Sequence, residues 1–215
     1  KHNLLRDDIL NFATVLGMRA FSKENEIIYW RAAAEINAPL NLPLKEIVRA
    51  KRIIPYALGN KREKTLPPYF SVYIVENSGV FSTISDMMQY ENIEIPLLCL
   101  HGQLKMASWA LLDKLQDSGA GFYYSGDFDP EGLIIAQKIL YRYPGRAKLW
   151  HFTAEQYKKA GITLPQKRLL KLQHITHPAL KEQAALMQEQ CMALYQESFV
   201  DELLEDLRAE SAAEI

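Results

Sequence analysis

The sequence predicts an α/β fold: a parallel sheet of about four strands with helices on both faces, preceded by a helical lead-in and followed by a helical C-terminal segment. Three observations carry this. Between residues 70 and 152, short β-rich apolar runs alternate with helix-patterned runs, the order that builds a parallel sheet with right-handed crossovers. The β-rich runs are continuously apolar, as strands buried on both faces are. The connections between them are short and carry Gly, Ser, Asn or Asp.

Taken in order, residues 4–36 read as helix. Leu4, Leu5, Ile9, Leu10, Phe12, Ala13 and Leu16 follow helical spacing, and Ser22 with Asn25 opens a second run over residues 26–36. Asn37, Pro39, Asn41 and Pro43 end it, and a short helix over 44–49 follows. A polar, basic connection over 59–64, closed by Pro67-Pro68, marks the boundary of the lead-in. The strands are then 70–75, 95–100, 122–124 and 147–152, and the helices between them 80–90, 104–115 and 133–141. From Thr153 the chain reads mostly as helix, with runs over 179–194 and 199–208. Three regions result: 1–66, 67–153 and 154–215.

With 215 residues, 48% of them hydrophobic, the chain has material for a sizeable core in one large or two modest domains. A net charge of −1 gives no overall basic signal for nucleic acid, although it leaves room for a local patch. No apolar run approaches membrane-spanning length. Cys99 and Cys191 stand in apolar and helical patterns without a pairing framework, and read as reduced thiols of a cytoplasmic protein. The chain opens on Lys1 with no signal-peptide pattern, and reads as part of a longer protein.

The chemistry concentrates in one loop. Tyr124-Ser125-Gly126-Asp127-Phe128-Asp129-Pro130-Glu131-Gly132 joins the third strand to its helix, and open α/β sheets bind ligands at the carboxyl ends of their strands. A D-x-D in a loop is by itself an ordinary solvated turn or helix cap. Here, however, Glu76 ends the first strand as well. Neighbouring strands lie about 5 Å apart, so Glu76, Asp127 and Asp129 converge if these strands are close in the sheet. The mutual repulsion would be relieved by raised pKa values or by a divalent cation, most naturally Mg²⁺, with Mn²⁺ as a substitute. Gly126 and Gly132 permit close backbone approach, and Pro130 suits a first helical turn. Glu131 is evenly divided between helix-start electrostatics and a proton-transfer role.

Val75-Glu76-Asn77 followed by Gly126-Asp127-Phe128-Asp129-Pro130-Glu131-Gly132 resembles the Toprim domain of bacterial primases and topoisomerases, whose signature is a strand-end Glu and a D-x-D that together bind Mg²⁺. The Asp-Phe-Asp-Pro-x-Gly form is most similar to the topoisomerase VI A branch. Leu133 stands where type IA enzymes carry a further Glu. A closer resemblance is to the DUF2399 family, over roughly residues 70–152. It is carried by Ile74 to Asn77, by Cys99-Leu100-His101-Gly102-Gln103 with Leu111 to Leu115, and by Tyr124 to Gly132, with Trp150 closing the next strand. Tyr195-Gln196-Glu197-Ser198 fits more loosely.

Such proteins resemble the nuclease subunit, JetD, of Wadjet-type plasmid-defence systems. The resemblance implies Mg²⁺-dependent hydrolysis of DNA, with Glu76, Asp127 and Asp129 as metal ligands and Glu131 beside them in the catalytic set. It also implies double-stranded DNA and an SMC-like motor complex as partners, and a homodimer. A topoisomerase VI-like transesterase would need a nucleophilic tyrosine, and none of the 11 tyrosines stands in a pattern of that kind. A non-catalytic Toprim-derived interaction module is the other alternative. A phosphoacceptor receiver domain is disfavoured, because the acidic pair follows the third strand instead of the first.

On the same rim, Asn77, His101, Gln103 and Lys105 are candidate substrate contacts, with turn and cap roles as the competing reading. Lys51, Arg52, Lys61, Arg62 and Lys64 would track a DNA backbone or form a solvated loop, and Lys167, Arg168 and Lys171 have the same two readings. His174-x-x-His177 lacks a third ligand and reads as structural.

Overall fold

The computed structural model describes residues 10–23, 25–58 and 69–213. The first described elements are strands where helix is predicted: Phe12–Leu16 (β1) and Met18–Ser22 (β2). Gly17 between them has a φ of 67°, outside any helix, and a Cβ there would stand 3.2 Å from the Ile95 carbonyl oxygen. Four of the five β1 residues are buried, so Phe-Ala-Thr-Val-Leu is a two-sided strand. A short apolar run of this kind satisfies helical spacing equally well, which is why periodicity misleads here. Asn25–Glu26 (β3) follows, and helix is confined to Ile28–Glu35 (α1). Leu40–Pro43 (β4) and Arg52–Pro55 (β5) are further strands in the predicted lead-in, around the expected helix Leu44–Arg49 (α2). The expected boundary, with Lys61, Arg62, Lys64 and Pro67-Pro68, lies outside the described residues, as do Leu4, Leu5 and Ile9.

The alternating body forms as predicted. Phe70–Val75 (β6), Leu97–Cys99 (β7), Ala120–Ser125 (β8) and Ala147–Leu149 (β9) are joined by helices Ser78–Glu91 (α3), Met106–Asp117 (α4) and Pro130–Arg142 (α5). Among the described residues the sheet has six strands, not about four, in the order β4-β1-β7-β6-β8-β9. β6 runs parallel to both β7 and β8, and β8 parallel to β9. β1 caps the β7 edge in antiparallel register, Thr14 opposite Cys99, and β4 covers β1. β2, β3 and β5 make a separate three-stranded sheet.

The chain leaves β6 toward β7, crosses back to β8, and continues outward to β9. Right-handed crossovers therefore set α3 on one face and α4 with α5 on the other. Phe122 on the second face packs against Tyr143 after α5, with ring centroids 4.9 Å apart. Cys99 and Cys191 are both free, and burial pushes the Cys99 thiol up to about 12.

The C-terminal part is less helical than its sequence suggests. It comprises Ala154–Tyr157 (α6), Ile162–Thr163 (β10), Gln166–Leu169 (α7), Lys181–Gln190 (α8), Met192–Ala193 (β11) and Val200–Ala213 (α9). The helix predicted over 179–194 stops at Gln190 because Cys191 turns left-handed, φ 56°, with its N–H bonded to the Met187 carbonyl at 2.9 Å. That turn sends residues 192–197 back across the carboxyl ends of β6 and β8. Among the described residues no helix is long and apolar enough to cross a membrane.

Candidate metal centre

β6 and β8 are direct neighbours, with Val75 opposite Ser125 at their carboxyl ends. Their onward connections diverge, so the crevice between them is the switch point at which open α/β sheets bind ligands. The next polar residues out are Glu76 and Asp127. One register thus brings together two acids that stand far apart in sequence.

Glu76 is 7% exposed. The buried Tyr124 hydroxyl donates to its Oε2 at 3.0 Å, and the Asp127 backbone N–H also donates to it. The two glycines make room for this. A Cβ on Gly126 would fall 2.6 Å from Glu76 Oε2 and 2.4 Å from the Tyr124 hydroxyl, while one on Gly132 would fall 2.0 Å from the Asp127 carbonyl oxygen. Burial first, and then the Asp127 charge, push the Glu76 carboxyl from its ordinary 4.5 up to about 8. Burial also pushes Asp127 from 3.8 up to about 6, although the Gln196 N–H donates to its Oδ1 at 2.8 Å; Asp129 adds to the rise.

Asp129 is 6% exposed and does two jobs. Its Oδ1 caps α5 by accepting from the Gly132 N–H at 2.7 Å, and its Oδ2 pairs with the Arg168 guanidinium. The cap reading and the functional reading of the D-x-D therefore meet in one residue. Glu131 pairs with Arg168 at 2.7 Å and with Lys171 at 2.5 Å. Burial alone would raise its pKa, but the two cations outweigh that and hold it below 4.5. The expected convergence of three carboxylates is thus met by Glu76 and Asp127, with Asp129 beside them and engaged by Arg168. Among the described residues no group of three His, Cys, Asp or Glu side chains is arranged to hold a metal ion.

The rim residues separate. Asn77 caps α3, its Oδ1 accepting from Gly79 N–H at 2.7 Å, while its Nδ2 donates to Glu197 Oε1 at 2.6 Å. His101 has a φ of 54°; its Nε2 lies 2.6 Å from Thr14 Oγ1, and its ring packs on Phe12 of β1. Burial lowers its pKa. Lys105 also serves β1, with Nζ 3.5 Å from the Leu10 carbonyl and 5.1 Å from the centroid of the Phe12 ring. Gln103 shares a groove of about 550 Å³ with Glu131, Lys138, Lys171 and His174.

Three contributors have roles at the site that the sequence did not show. Tyr124 fixes Glu76 from within a strand that reads as plain core. Arg168 belongs to a basic run with no obvious target. The stretch from Leu194 to Glu197 covers the loop: Phe128 and Leu194 exchange backbone hydrogen bonds of 2.8 and 3.2 Å, and Gln196 bonds both Asp127 and the Asn77 N–H. The looser match at Tyr195 to Ser198 is the one sequence signal for that cover.

The family described as "Protein of unknown function C-terminus (DUF2399)" matches residues 40–207. The chain belongs to the DUF2399 family. The matched span of this DUF2399 chain runs from β4 into α9, so it takes in Glu76, the acidic loop, Arg168 and the segment that covers them. No curated protein matches the chain.

Proposed function

We propose that this DUF2399 chain is a Toprim-type, Mg²⁺-dependent DNA endonuclease working within an SMC-like plasmid-defence complex. The observation that carries the reading is the Glu76–Asp127 pair: two adjacent carboxyls, one buried and one half-buried, over neighbouring parallel strand ends, both pushed up in pKa. The donor set is oxygen only, which suits a hard divalent cation. The parallel four-strand body and the strand-end Glu facing a D-x-D support the Toprim likeness. Double-stranded DNA, the motor complex and a homodimer enter through the family resemblance.

Glu76 and Asp127 would hold the ion, which when bound supplies polarisation of the scissile phosphodiester and activation of water. Tyr124 and the Asp127 N–H orient the Glu76 carboxylate. Asp129 aligns the loop by capping α5. Arg168 and Lys171, paired with Asp129 and Glu131, would supply positive charge to phosphate oxygens as those pairs open, which phosphoryl transfer requires. Glu131, held ionised between those two cations, would fix their position at the rim.

With circular plasmid, the partner complex and Mg²⁺ or Mn²⁺, wild type is expected to cleave. Asp127→Asn and Glu76→Gln should each lose about 100-fold or more of the rate. Equal cleavage by all three proteins would overturn the assignment.

The Arg168 pairing favours a second reading, a Toprim-derived interaction module in which a fixed guanidinium balances the acids. The two readings part on Arg168→Gln. Both expect destabilisation, because Asp129 is left buried and unpaired, at a cost of about 3–5 kcal/mol. The nuclease reading adds that Mn²⁺ restores the melting temperature of Arg168→Gln and does not do so when Asp127→Asn is combined with it. An absence of Mn²⁺ rescue supports the module.

A further inference from the structure

We propose that the chain carries a second nucleic-acid site, for an unpaired strand, on the open face of the sheet at the opposite ends of β6 and β8 from the metal centre. It stands on observations separate from the metal reading. Successive strand residues alternate faces, and the register Ser71↔Gly121, Tyr73↔Tyr123 and Tyr123↔Lys148 puts these residues on the α3 face. Near the carboxyl ends that face is closed by α9, where the Trp150 indole donates to Asp206 at 2.8 Å. Toward the strand starts it opens into a groove of about 440 Å³, whose lining includes Tyr69, Ser71, Gly121, Tyr123, Arg146 and Lys148. Gly121 leaves the floor bare, and Tyr69 is 61% exposed.

The cations of this groove are seated on rings, as Lys105 is on Phe12. Arg142, Arg168 and Arg208 each rest on a carboxylate. Arg146 and Lys148 rest on rings instead: the Arg146 guanidinium lies 4.0 Å from the Tyr69 centroid, and Lys148 Nζ lies 5.5 Å from the Tyr123 centroid. Among the described residues no acid lines the groove. A cation seated on an aromatic face retains its charge for an incoming anion. Tyr123 itself stacks on Tyr73, with centroids 5.1 Å apart and planes at 18°, which holds its ring firm.

Fixed rings beside uncompensated cations are the two parts of a single-strand site: bases stack on the rings while phosphates meet the cations. A duplex keeps its base faces to itself, so the rings select an unpaired strand. Asp206 and Glu210 line the adjoining groove beyond Tyr123 and confine a polyanion to the Tyr69 end. Gly121 lies six residues before Asp127, which along a strand is about 20 Å, so the two sites are distinct.

The test is fluorescence anisotropy with a labelled oligothymidylate and a labelled duplex, over a salt series without metal, using the whole 215-residue chain. Wild type should bind the single strand in preference to the duplex. R146E/K148E should weaken that binding more than ten-fold and reduce the salt slope by about 1.4. Tyr69→Ala should weaken it about five-fold or more with the slope unchanged. Melting temperatures report whether each variant folds, and Asp127→Asn should bind like wild type. The proposal is overturned by no binding, by duplex preference, or by folded R146E/K148E binding as tightly as wild type. It is equally overturned if Asp127→Asn alone removes binding, since the strand would then be held at the metal centre.

Discussion

Raising the pH of the chelated protein from 5 to 8.5 is expected to cost it stability, and Glu76→Gln to remove most of that cost. The folded protein holds the Glu76 proton up to about 8, whereas the ordinary value is 4.5. Between these values the native state binds more protons than the unfolded chain, so stability falls as pH rises. The contribution is full below 4.5 and lost as the pH passes through about 8. Asp127 adds a smaller loss between 3.8 and about 6. For Glu76 the upper limit is about 5 kcal/mol, from ~1.4 kcal/mol per tenfold shift in proton affinity. Urea unfolding at both pH values, with and without chelator, measures it. Wild type in chelator should lose several kcal/mol between them, while Glu76→Gln, unable to ionise, should lose much less. Mg²⁺ should restore wild type at pH 8.5, because an ion held by the ionised pair stabilises the folded state by mass action. Identical pH profiles for wild type and Glu76→Gln would mean that Glu76 is ionised in the folded protein without a cation, and the reading of the pair would fail.

The partnership of Glu76 with Asp127 was legible because it depends on strand ends, which the apolar runs of 70–75 and 122–124 mark well. Their adjacency was not legible: a linear sequence gives the order of strands in the chain, and the reversal that seats β6 between β7 and β8 emerges only from packing. The strand β1, seated between β4 and β7, was hidden for a different reason. Four of its five residues are buried, on both faces, and such a run has no period that separates strand from helix. Arg168 was legible as part of a basic run, but its pairing with the acidic loop was not. Its partners Asp129 and Glu131 are nearly forty positions away, and the short helix that carries it is positioned by tertiary contacts. The left-handed turn at Cys191 is similar, since nothing in the residue type demands φ 56° there. It is imposed where the chain must leave α8 and return over Phe128. The acids at the strand ends were thus legible, and their pairing with the groups that neutralise and cover them was not.

Gly132→Ala is expected to destabilise the protein by about 2–4 kcal/mol, the reverse of what the same change does in an ordinary helix. Alanine is a better helix former than glycine by ~1 kcal/mol, and Gly132 sits in the first turn of α5 with its N–H bonded to the Asp129 cap. Its Cβ, however, would stand 2.0 Å from the Asp127 carbonyl oxygen. That atom is backbone, so no rotamer change relieves the contact. The loop must lift away from the helix, and with it go the Asp127 N–H bonded to Glu76 and the carboxylate held by Gln196. A fall in melting temperature of roughly 4–16 °C follows for a domain of this size. Gly126→Ala supplies the contrast. Its Cβ would meet the Tyr124 hydroxyl and Glu76 Oε2, both side-chain atoms that can turn aside. Its melting temperature should fall less, while Mn²⁺ binding measured by calorimetry should be lost, because Glu76 is driven from its place. If Gly132→Ala melts with wild type, the loop is not held against the helix start, and the close backbone approach that sets Asp127 beside Glu76 is wrong.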